Sequence, residues 1–130
     1  MTLDLAHFDI RQTGEEGVWM TLLHPQTGAE TDAKFLVASN QSRPVRKKRA
    51  DQERARMKRR LHTMEDTHNE LVELVATAIL DWENVIYRGE PLDCTEENKK
   101  MILRGNLKIL QQVSEFMADD ESFFPKASTS

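Results

Sequence analysis

The chain is poor in several things that other protein classes depend on. A single cysteine, Cys94, excludes an internal disulfide and points to a reducing compartment. No apolar run approaches the roughly 20 residues that a membrane helix needs. The N-terminal residues, Met1 to Asp9, lack the basic start and long apolar core of a secretory signal. A soluble intracellular protein with no membrane partner is the expectation. Catalytic patterns are equally sparse. There is no phosphate-binding glycine loop and no Cys/His cluster of zinc spacing. The four histidines are scattered, and His62 and His68 do not have the i, i+4 spacing of a helical metal pair. Cys94 precedes a helix start, where a lowered thiol pKa is physically reasonable, but no histidine lies near it in sequence. No catalytic, metal or cofactor residue is therefore assigned, and the protein is not expected to be an enzyme.

What the chain does have is charge, unevenly placed. Charged residues make up 31% of its 130 residues, against 38% hydrophobic, the balance of a helical assembly protein more than of a compact enzyme. The net charge of −4 hides a polarity: residues 43–60 carry a local +8 and the remainder −12. A basic block of this kind suits nucleic acid, or the acidic surface of another copy of the chain.

The largest concentration of apolar side chains falls at 69–86. Leu71, Val75, Ala78 and Trp82 recur at helical spacing, and Val72, Ile79, Val85 and Ile86 widen the stripe. A central helix over 69–86, with Trp82 in the core, is predicted. Upstream, Met57, Leu61, Met64 and His68 continue the same four-and-three steps. One helix of about 40 residues over 44–86 and a pair broken near Thr63–Thr67 both fit, since Thr, Asp and Asn compete for the backbone.

Around this helix the remaining elements read more locally. Thr13 to Gly17 looks like a flexible turn. Residues 18–37 are predicted to be a β-hairpin, closed by the Pro-x-x-Gly turn at Pro25–Gly28. Ser42 is placed as an N-cap, with Pro44 in the first turn of the basic helix. Gly89 and Pro91 end the central helix. Thr95 then caps a further helix, Arg104–Asn106 interrupts it, and the C-terminal helices together span 95–120. The expected fold is mainly α, with three to four packed helices and a small N-terminal β-hairpin. It forms one domain over 1–124, followed by a flexible tail at 125–130.

Several of these stretches together resemble a known family. They are Val18-Trp19-Met20-Thr21-Leu22-Leu23-His24-Pro25-Gln26-Thr27-Gly28, then Ser39-Asn40-Gln41-Ser42 before a basic helix, then Leu80-Asp81-Trp82-Glu83-Asn84-Val85. Gly89-Glu90-Pro91-Leu92, Thr95-Glu96-Glu97-Asn98, Leu110-Gln111-Gln112-Val113 and Phe123-Phe124 complete the series. In this order, over about residues 17–124, they are similar to the tail assembly chaperones of long, non-contractile-tailed bacteriophages, the lambda-like siphophage tape-measure chaperones. Gln41 departs from an acidic residue often found there, at a loop with no assigned chemistry.

The resemblance implies a late, helical, non-enzymatic protein in the host cell cytoplasm that is absent from the mature virion. Such a protein coats the tail tape-measure protein, keeps it soluble and promotes tail-tube assembly. A ribosomal frameshift in such genes adds a C-terminal extension that recruits the tail-tube protein. The residues fit such a role on their own terms, because a holdase needs apolar surface on a charged body. Met57, Met64, Met101 and Met117 offer adaptable apolar contacts. The candidate partner-binding residues are Arg46, Lys47, Lys48, Arg49, Arg54, Arg56, Met57, Arg59 and Arg60, with Phe123 and Phe124. One of the two phenylalanines is expected to staple the core, and the other to staple it or anchor a client. Weak, salt-sensitive self-association through the basic helix is expected. The alternative function is a nucleic-acid-binding basic helix. Against it, the block has no asparagine to pair with adenine and the seam is a poor zipper, with Met57, His68 and Ala78 at core positions.

Overall fold

The computed structural model describes residues 2–59 and 61–125. A short 3₁₀ turn at Leu5–Phe8 leads into helix α1 (Arg11–Glu16), where the sequence suggested only a turn. Strands β1 (Val18–Leu23) and β2 (Glu30–Val37) then form the expected antiparallel hairpin. Its turn is tied by the His24 ring, whose Nδ1 accepts from the backbone N–H groups of Gln26 and Thr27.

The mainly-α expectation does not hold: the fold is mixed α/β, with five helices and two sheets among the described residues. The central helix ends early. Helix α3 (Met64–Ala78) stops at Ala78, and Ile79 turns directly into strand β3 (Ile79–Glu83). This strand pairs antiparallel with β2, giving a three-stranded sheet in the order β1-β2-β3. The reason the stripe looked helical lies in the register. Ile79 sits opposite Val37 and Asp81 opposite Leu36, so Leu80 is an extra residue in a β-bulge. A bulge shifts the two-residue alternation by one, and Ile79 and Trp82, three apart, both face the core. Three-residue spacing is also the mark of a helix face.

The second sheet is a small ribbon, β4 (Ile86–Tyr87) with β5 (Glu90–Pro91). Arg88 and Gly89 both have positive φ at its tip, as a two-residue I′ turn requires. The sequence suggested a loop here.

Of the two readings of 44–86, the broken pair is the one found. Helix α2 (Arg43–Met57) and α3 form a hairpin, and the break is decided by Thr63. Thr63 Oγ1 accepts from the Asp66 N–H at 3.1 Å, and the Asp66 carboxylate accepts from the Thr63 N–H at 3.0 Å. This reciprocal capping box starts a new helix where a continuous one would need the same N–H groups. Helices α4 (Glu96–Gly105) and α5 (Leu107–Ala118) follow with Asn106 between them, as the sequence indicated. Thr95 caps α4 by accepting from the Asn98 N–H.

The core lies between one face of the sheet and the helices. Met20, Leu22, Phe35, Val37, Ile79 and Trp82 meet Val72, Val75, Ile102, Leu103, Leu110, Val113 and Met117. Phe35 and Trp82 stack with ring centroids 5.3 Å apart, and the Trp82 indole N–H donates to the Leu92 carbonyl at 2.6 Å. Trp82 is core, as predicted, but it reaches the core from a strand. Lys99 is buried as well; its ammonium donates to the Ile79 carbonyl at 2.9 Å and meets Glu96. Gly14 lets α1 lie against the connector after β2, because a Cβ there would stand 2.9 Å from that of Ser39.

Candidate client surface and the comparisons

Helix α2 is almost wholly polar and buries only Val45. It is held to α3 by charge. Lys48 pairs with Glu73 at 3.7 Å, Arg56 with Glu70, and Arg59, just past the helix, with Asp66 at 3.0 Å. Gln52 also donates to the Glu70 carbonyl at 2.7 Å. The hydrogen bond to Glu70 raises the Arg56 pKa, and the backbone bond from Thr63 lowers that of Asp66, helped by Arg59. Much of the basic block is therefore neutralised inside its own chain.

The candidate residues do not form one surface. Arg54 pairs with Asp51 on its own helix, and Arg49 donates to the Asn40 side chain. Arg46 and Lys47 are exposed and make no ion pair with any described residue. Arg60 lies outside the described residues, as does the part of the expected tail after Pro125. Phe123 is fully buried, edge-on to Phe116 at 5.5 Å, and its carbonyl accepts from the Thr13 hydroxyl. It is the staple, and no client reaches it in this fold. Phe124 is half-buried, edge-on to Phe8 at 5.3 Å.

What remains is apolar and collects at the end of the α2–α3 hairpin. Met57, Leu61 and Met64 are 80%, 75% and 90% exposed. The apolar steps along 57–68 are open to solvent at this end, because the chain turns back at Thr63. Behind the tip, α2 and α3 enclose a groove of about 360 Å³, with Leu71 and Leu74 on its α3 side and Arg49 and Arg56 on its α2 side. Helical spacing puts Met57 on the row of Arg49 and Glu53, and Met64 on the row of Leu71. Sequence reasoning found Met57 and Met64 but placed Leu71 in the core; Val72, Val75 and Ala78 of the same stripe are buried, while Leu71 is at its exposed margin.

Nothing in the site resembles a reaction centre. No group of three or more His, Cys, Asp or Glu side chains that could hold a metal is present among the described residues. No helix among them is long and apolar enough to cross a membrane. The pKa of Cys94 is raised by burial, the reverse of the shift suggested by its place before α4. Fold and site define a mixed α/β domain from which a charge-braced helical hairpin presents an apolar tip. No family model, no curated protein and no solved structure matches the chain.

Proposed function

We propose that this protein is a non-enzymatic tail assembly chaperone, working in the host cytoplasm on the tape-measure protein and absent from the finished virion. The observation that carries the reading is the exposure of Met57, Leu61 and Met64 around the turn of the α2–α3 hairpin, whose two helices line a groove with Leu71 and Leu74. Three large apolar side chains left in water on a charged hairpin are the anatomy of a helix-in-groove receptor. Two of them are methionines, which adapt to varied partners. The family resemblance supplies the client. Weak self-association through Arg46 and Lys47, and a tail-tube contact through a frameshifted extension, belong to the same proposal.

Nucleic-acid binding has less support, since intrachain carboxylates already engage Lys48, Arg54, Arg56 and Arg59. The test is co-expression with the tape-measure protein of the same genome. The chain should keep that protein soluble and co-purify with it. Met57→Asp with Met64→Asp should abolish co-purification without lowering the thermal midpoint, because both side chains are solvent-exposed. Undiminished co-purification by this variant would remove the hairpin tip from the mechanism. Failure of the unaltered chain to solubilise the client would remove the function itself.

A further inference from the structure

At the opposite end of α2 the first helical turn, α1 and the segment before α1 surround a cavity of about 930 Å³. It lies away from the hairpin tip and shares only Arg46 with the proposed self-association. Five charged side chains line it: Arg11, Arg43 and Arg46 against Asp9 and Glu15, one positive charge in excess. Two of the cations are engaged. Arg11 forms a forked pair with Asp9, which draws the Asp9 carboxyl down to about 2. The Arg43 N–H donates to Glu15 Oε1 at 3.0 Å, with the Arg43 guanidinium 4.0 Å from the same oxygen. Arg46 has no ion-pair partner among the described residues.

Ser42 lines the same cavity and is the N-cap of this 15-residue helix. It is 2% exposed, and its hydroxyl has no hydrogen-bond partner among the described residues. An N-cap serine normally accepts from the N–H at the second or third helical position. Here Pro44 occupies the second and has no N–H to give. The hydroxyl is thus left with its proton to donate, beside a helix N-terminus that favours negative charge. A buried hydroxyl without a partner is a standing cost to the fold.

We propose that this cavity binds a phosphate group, free or as a small monoester, held by the Ser42 hydroxyl, the Arg46 guanidinium and the N-terminus of α2. Glu15 is its built-in competitor, a carboxylate already resting on the first N–H of the helix. Donors here come from a hydroxyl, a guanidinium and a backbone terminus, all around the first turn of α2. A tetrahedral oxyanion accepts from several such directions, whereas a planar carboxylate is best served by a coplanar fork.

The test uses the full chain, labelled with ¹⁵N and titrated at constant ionic strength with inorganic phosphate, glycerol 3-phosphate, acetate or chloride. Saturable amide shifts confined to residues 11–15 and 41–46 are expected with the two phosphates. Either phosphate binding the more tightly supports the site and names its source, free ion or monoester. Arg46→Gln should weaken phosphate binding about tenfold, the loss of one charge-assisted hydrogen bond. Glu15→Gln should tighten it by removing the competitor. Ser42→Ala separates ligand from fold: it should weaken phosphate binding severalfold while leaving the thermal midpoint level or higher. A midpoint several degrees lower would make the hydroxyl structural and overturn its assignment. Acetate binding as tightly as phosphate, chloride reproducing the shifts, or an affinity unchanged by Arg46→Gln would each overturn the site.

Discussion

Trp82 gives the sharpest test of the fold, because its burial rests on strand pairing. Its indole is stacked on Phe35 across β2 and β3, and its N–H is given to the Leu92 carbonyl. Trp82→Ala removes a buried indole from a closely packed core and should cost about 3–5 kcal/mol. Against a total stability of roughly 5–15 kcal/mol for a domain of this size, that is about a fifth or more of the whole. The thermal midpoint should fall by roughly 10–20 °C, at about 3–5 °C per kcal/mol. Trp82→Phe keeps most of the stack but leaves the Leu92 carbonyl without its donor, for a smaller loss of about 1–3 kcal/mol. Urea titration followed by circular dichroism measures both, since the slope reports whether unfolding stays two-state. A double-mutant cycle with Phe35→Leu isolates the aromatic coupling, about 0.5–1.5 kcal/mol. If Trp82→Ala costs less than about 1 kcal/mol, or the cycle shows no coupling, the bulged register of β3 on β2 is wrong.

The other predictions are briefer. Thr63→Ala should cost about 1 kcal/mol through loss of the cap, and Asp66→Asn should flatten the acid side of the stability profile. The folded pKa of Asp66 is depressed, so its contribution is present above the unfolded value near 4 and lost as pH falls through the folded one. A pH–stability slope identical in Asp66→Asn and the unaltered chain would deny the capping box. Lys99→Met should cost about 1–3 kcal/mol in urea titration, because it leaves the Ile79 carbonyl buried without a donor; a neutral result would mean water reaches that carbonyl. Cys94, with its thiol pKa raised by burial, should react with iodoacetamide at pH 7.5 many times more slowly in the native chain than in urea, and equal rates would place it on an open surface.

Local chemistry was legible from the residues alone. Turn residues placed the 18–37 hairpin, Thr95 marked the start of α4, and Gly105–Asn106 marked the gap before α5. Each of these rests on atoms within four or five residues of one another, so the chain carries the information at that point. Thr63 to Asp66 was equally local, but apolar steps of four and three run through it, so one helix and two both fitted the residues. The charge polarity was visible too, but not where its partners lay. Only folding brings Glu70 and Glu73 against Arg56 and Lys48.

β3 is what the tertiary structure alone decided. The sequence pointed to a helix through Glu83, but a bulged strand also puts residues three apart on one side. The free edge of β2, with Phe35 and Val37 turned inward, resolves the choice. Pairing satisfies that edge's backbone groups and covers its apolar face together, a gain the segment cannot obtain as a helix. The unpaired Ser42 hydroxyl belongs to the same class. The sequence named Ser42 as a cap, and only the surrounding fold shows that its hydroxyl has no partner among the described residues.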